Sequence, residues 1–127
     1  MTIARDTTAA NIKPLTGAIV RRFTSGAAIA AGEVVGMSSD GYIDPCNTTS
    51  AADEAIGIAV QATSGSGEVI DVVVHGPVKC LTGATPGATV FNSATAGEPT
   101  ETDSSNVTAV GYAESATVLF VLPEHLA

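Results

Sequence analysis

Val, Ile and Thr fill 38 positions of this chain, against 5 Leu, 7 Glu and 2 Lys. Side chains that are stiff at χ1 suit a pleated, half-buried surface better than a helix, so the composition points to an all-β fold. The 127 residues give room for one domain and one modest core. Alanine takes 21 positions, and the large apolar set of Val, Ile, Leu, Met, Phe and Tyr numbers only 34. The core is therefore built from small side chains.

Turn residues divide the chain into about nine expected strands. Gly17 to Phe23 opens the series. The segment AAGEVVGMSSDGYIDP then supplies two strands around Asp40-Gly41, a tight-turn dipeptide that predicts a hairpin. Ala55 to Val60 reads as a buried strand in which Gly57 permits close backbone approach. Ser64 to Gly67 turns the chain into Val69 to His75, whose all-aliphatic face (Ile70, Val72, Val74) is expected to point inward. Pro77 to Leu81, Ala88 to Phe91, Val107 to Tyr112 and Thr117 to Leu122 complete the set, and a helical turn is expected only at Ser50 to Glu54.

The chain also echoes itself at a shift of about 55 residues. Gly32, Val35 and Ser38 return as Gly87, Val90 and Ser93. Gly41 returns as Gly97, one residue out of step. Ala55-Ile56-Gly57-Ile58-Ala59 returns as Ala109-Val110-Gly111-Tyr112-Ala113. Two copies of one β unit, closed on each other to limit open edges, predict a small barrel or sandwich. Gly32, Gly41, Gly57, Gly67, Gly87, Gly97 and Gly111 are its expected structural glycines.

Charge is divided unevenly. The net value is −8, yet residues 1 to 22 hold Arg5, Lys13, Arg21 and Arg22 against Asp6 alone, a local +3, which leaves −11 for the remainder. An acidic body argues against nucleic acid as partner, because such binding rests on neutralised phosphates. A basic leader on that body suits an acidic partner. Residues 1 to 14 carry no periodicity and end at Pro14, so they are expected to form an extended arm ahead of one domain at 15 to 127. No apolar stretch has the length of a signal peptide or a membrane span. Cys46 and Cys80 lack redox or zinc spacing and are expected to be free, buried thiols made in a cytosol.

Motifs for catalysis are missing. There is no G-x-S-x-G elbow, and SGSGE at 64 to 68 lacks the Lys-Ser/Thr of a phosphate loop and lies between two expected strands. His75 and His125 have no second ligand at metal spacing. Asp40, Asp44, Asp53, Glu54, Glu101 and Asp103 form no calcium loop and are expected to be a solvated acidic surface. No enzyme activity and no cofactor is expected.

The order of elements, from Gly32 to Val35 through Asp40-Gly41, Ile56 to Ala59, Gly67 to Val69, Val72 to Gly76 and Pro86 to Phe91, resembles the small head decoration, or capsid cement, proteins of tailed bacteriophages. The likeness covers roughly residues 15 to 122 and implies a β-barrel or β-tulip domain. It implies a structural virion protein on the outer capsid surface, made in the host cytoplasm. Its partners would be the major capsid protein and itself, as a homotrimer that stabilises the capsid, with no nucleic acid or membrane bound. The docking residues are then expected to be Arg5 and Lys13 on the arm, with Arg21 and Arg22 at the base of the barrel. Deleting residues 2 to 13 is expected to leave a barrel of nearly unchanged stability. The alternative is another virion or surface binding module, such as a head fibre or an adhesin-like β domain. Such an adhesin would expose aromatic residues at loop tips for sugar stacking.

Overall fold

A computed structural model describes residues 3–49, 54–104 and 107–123. His125, Asp53 and most of the turn expected at Ser50 to Glu54 lie outside them. The described chain is all-β, with twelve strands and one 3-10 turn, its antiparallel sheet curled into a half-barrel.

The Asp40-Gly41 hairpin joins β4 (Val34–Met37) to β5 (Ile43–Pro45). Asp40 closes the turn by accepting the Tyr42 N–H at 2.9 Å. β6 (Ala55–Ala59) pairs with the other edge of β4 and then with β7 (Val69–Lys79). The loop between β6 and β7 is gathered by Glu68, whose carboxylate accepts the Ser64 N–H and O–H and the Gly65 N–H. These three donors hold its pKa below the usual carboxylate value. The same arrangement returns in the second half, with β9 (Thr89–Asn92), β10 (Pro99–Thr100), β11 (Ala109–Ala113) and β12 (Val118–Val121). The resulting order, β10-β9-β11-β12-β7-β6-β4-β5, is a palindrome of two units.

The duplication extends to single residue pairs. Val34–Ile58, Val35–Gly57 and Gly36–Ala55 face one another across β4 and β6, with a bulge at Ile56. The corresponding pairs of β9 and β11 are Thr89–Tyr112, Val90–Gly111 and Phe91–Ala109, with the bulge at Val110. Gly32 donates its N–H to Ala59 at 2.7 Å, and Gly87 donates to Ala113 at 2.7 Å. Both glycines have φ near +85° (88° and 85°), as do Gly41 and Gly97 (85° and 79°), a region closed to most side chains.

β7 is longer than expected. The strands expected at Val69 to His75 and Pro77 to Leu81 are one strand as far as Lys79, followed by the short β8 (Leu81–Thr82). The left-handed Gly76 lets the strand turn without breaking, and the Pro77 carbonyl still accepts the Leu15 N–H at 3.0 Å. Across this bend β7 changes neighbours, from β6 to β12 on one edge and from β3 (Ile19–Thr24) to β2 (Lys13–Pro14) on the other.

β7 also has two buried faces. Ile70, Val72 and Val74 do line a core, a small one with Ile29, Val35, Ile43 and Ala59, closed where Ser25 beyond β3 bridges Ile43. Val73 is equally buried, in the larger core on the opposite face, with Val34, Ile58, Val90, Val110, Ala113 and Leu119. Simple alternation fails because β7 is the stave common to both cores, not the wall of one.

The N-terminal segment does not stand off the body. β1 (Ala4–Arg5) pairs with β8, Asp6 donates its N–H to the Cys80 carbonyl, a 3-10 turn spans Ala9–Asn11, and β2 lies on β7. Ile3 and Ile12, 9% and 7% exposed, drop into the main core. They are the two large apolar side chains among the described residues of a polar stretch, and they make it a strap where an extended arm was expected.

Candidate functional site

The four expected docking cations divide into two groups. Arg5 is taken up inside the chain. Its Nε donates to Glu98 Oε2 at 2.8 Å and its Nη1 to the Ala31 carbonyl at 3.3 Å, and its side chain is 16% exposed. A guanidinium so paired clasps the strap to the second unit and is withdrawn from any external partner. Glu33, beside this clasp, accepts the Ala30 N–H at 2.8 Å and carries a pKa pushed up by burial.

Lys13, Arg21 and Arg22 are exposed, on two strands that lie against the same edge of β7. Lys13 stands opposite Lys79. Arg21 stands opposite Val72, its guanidinium 5.9 Å from the Phe23 ring centroid. Arg22 stands opposite Asp71 and donates to it at 3.2 Å. The two arginines point to opposite faces, as neighbours on a strand must. β3 is paired only with β7 along its length, so the edge carrying them is unpaired among the described residues. It forms a basic margin on an acidic body.

Beside this margin is a feature that the sequence did not disclose. Tyr112 and Phe120 stack, with ring centroids 5.3 Å apart and planes 17° from parallel, and His75 meets Phe120 edge-on at 5.3 Å. The three side chains lie in neighbouring strands, β11, β12 and β7, on the outer face. The repeat aligned Tyr112 with Ile58 in the sequence; the match of Phe120 with Val73 emerges only from the strand register, and exposure was not legible because Ile58 and Val73 are buried.

The remaining chemistry-bearing groups are in local structure. Cys46 and Cys80 are buried thiols outside any disulfide, Cys46 accepting from the Asn92 amide at 3.2 Å, and burial drives the Cys80 pKa far upward. A shallow groove of about 480 Å³ runs between the strap and β10, lined by Ile3, Ala4, Ser93, Thr95, Glu98 and Thr100 among others. Arg5 already neutralises Glu98 there. Among the described residues no three His, Cys, Asp or Glu side chains gather as a metal-holding group, and no helix is long and apolar enough to cross a membrane. No protein-family model and no curated protein matches the chain.

Proposed function

We propose that this protein is a structural virion component that binds the outer surface of a phage capsid and reinforces the shell, acting as a homotrimer. The observation that carries the reading is the basic margin. Lys13, Arg21 and Arg22 are exposed along one edge of a body whose residues 23 to 127 carry a net −11. Support also comes from the resemblance, whose turn and strand motifs fall on the hairpin at Asp40-Gly41 and on β4, β6, β7 and β9. The function needs affinity without chemistry. Three margins per trimer, each weak on its own, engage neighbouring shell subunits at high effective concentration.

The test is a shell-binding titration with Lys13→Glu/Arg21→Glu/Arg22→Glu. Binding is expected to fall by about tenfold or more at low salt, with a flatter salt dependence, since exposed charges act within ~8–10 Å. Undiminished decoration by the triple variant would remove the margin from the docking surface.

One observation favours the alternative surface-binding module. Tyr42 is 42% exposed next to the hairpin turn, where an aromatic side chain can stack on a sugar. Glycan binding lost in Tyr42→Ala, with shell binding intact, would favour that reading.

A further inference from the structure

The hydrogen bonds of β7 fix which backbone groups of β3 face outward. The Asp71 N–H donates to the Gln61 side chain at 2.8 Å, and the Asp71 carbonyl accepts the Val60 N–H at 3.1 Å, so both groups point to the β6 side of β7. Arg22, opposite Asp71, therefore stands at a pair without ladder bonds and turns its own N–H and C=O away from β7. As the alternation then requires, the Ser25 N–H points inward and donates to the Glu68 carbonyl at 2.8 Å. Val20, opposite Val73, turns outward with Arg22. This edge closes only at Gly26, whose N–H donates to the Ile43 carbonyl at 2.7 Å. The N–H and C=O groups of Val20 and Arg22 are left without a backbone partner among the described residues, at the spacing of a ladder.

The side chains along the edge identify what can add to it. Val20 is 40% exposed, Arg21 lies over the Phe23 ring, and Arg22 gives Asp71 only its Nε while its side chain stays 74% exposed. The two terminal nitrogens of that guanidinium are thus left to a further acceptor. Neighbours on a strand point to opposite faces, so an added strand meets one cation on each face, with Val20 before them and Phe23 after. Its matching residues are two successive carboxylates between two apolar side chains, an order that reads the same in either strand direction. Charge on an open edge ordinarily deters pairing. Here both charges are positive, so the deterrent is selective. Two copies of β3 laid edge to edge in the matching register would oppose arginine to arginine, whereas an acidic strand gains charge-assisted pairs.

We infer that the outer edge of β3 is a strand-addition site for an extended peptide segment of the order apolar, acidic, acidic, apolar. Backbone hydrogen bonds at Val20 and Arg22 hold the segment, and the two arginines select it. The inference rests on the proposed reading of this margin as the docking surface, and it names the form of the partner there: a segment taken up as a strand, not a charged folded surface.

Titration of the full chain with the capped peptide TTVEEVTT, followed by amide chemical shifts and hydrogen exchange, tests it. Saturable binding with a dissociation constant below about 1 mM is expected, with the Val20 and Arg22 amides shifted and their exchange slowed by about tenfold at saturation. The same peptide methylated at both glutamate nitrogens keeps its charge but cannot complete the ladder, and is expected to bind about tenfold more weakly. Arg21→Glu/Arg22→Glu is expected to weaken binding of the unmethylated peptide at least as much while circular dichroism is unchanged. Val20→Pro removes an outward N–H and no charge, at the kind of edge position where proline is tolerated, and is expected to weaken it too. Should that variant fail to fold, the methylated peptide puts the same question to the wild-type chain. No binding up to about 1 mM overturns the inference. So does equal binding of the methylated peptide, which would mean attraction by charge alone, and so do shifts centred away from residues 20–24. A chain that docks on shells through its three cations yet takes up no peptide would sink the strand site and leave the docking margin standing. Peptide binding by the wild-type chain, with decoration undiminished in the triple variant, would keep the strand site and remove its part in docking.

Discussion

Gly57 and Gly111 sit at the same point of the two units, and a Cβ at either would collide with a backbone oxygen of the next strand, that of Val73 or of Phe120. Neither carbonyl can swing aside without breaking the ladder. Gly57→Ala and Gly111→Ala are each expected to cost about 2–3 kcal/mol in urea unfolding, the range of an overpacked core. Gly65→Ala, with open space around it, is expected to stay within about 0.5 kcal/mol. The A-[IV]-G-x-A echo marked both glycines in the sequence, whereas the oxygens that exclude a methyl there emerge only from the strand register. Arg5 shows the same divide. Its charge is legible, but its partner Glu98 stands 93 positions away in the chain, and that pairing turns a docking candidate into a clasp.

Most strands were legible as elements, because each is a short aliphatic run between Gly, Asp, Pro or Ser turns. What local pattern did not reveal was strand continuity through Gly76-Pro77, the two buried faces of β7 and the fate of the first residues. The strap has the polar composition of a disordered terminus, and only two isoleucines mark its attachment. Burying each contributes about 1.5–3 kcal/mol. The expectation that residues 2 to 13 are dispensable for stability is therefore reversed. Their deletion is expected to lower the urea midpoint clearly, and Ile12→Ala alone to cost about 2–4 kcal/mol. A truncated chain unfolding at the wild-type midpoint would show that the strap holds nothing.

For the whole molecule, acidity acts in two directions. Asp6, held below its usual 3.8 by the Thr8 N–H and the Asn11 amide, and Glu68, held below 4.5, stabilise the fold above those values. Their contribution is lost as pH falls through the lowered pKa of each. Glu33, raised above 4.5 by burial, works oppositely: the fold binds its proton more tightly than the unfolded chain does, so stability declines as pH rises through its raised pKa. Glu33→Gln keeps an acceptor for the Ala30 N–H and removes the buried charge. It is expected to match or exceed wild-type stability at pH 7 and to flatten that decline in urea titrations across pH. A steep loss of stability at pH 7 would mean that the carboxylate charge itself is needed beside Arg5. A larger consequence lies in β7, which serves both cores and is paired along both edges. A load applied to either half is carried through the same strand into the other. The repeats therefore join through a continuous β7–β12 ladder backed by the core they share, and a shell protein of the kind proposed above would gain from a junction that is not a loose hinge.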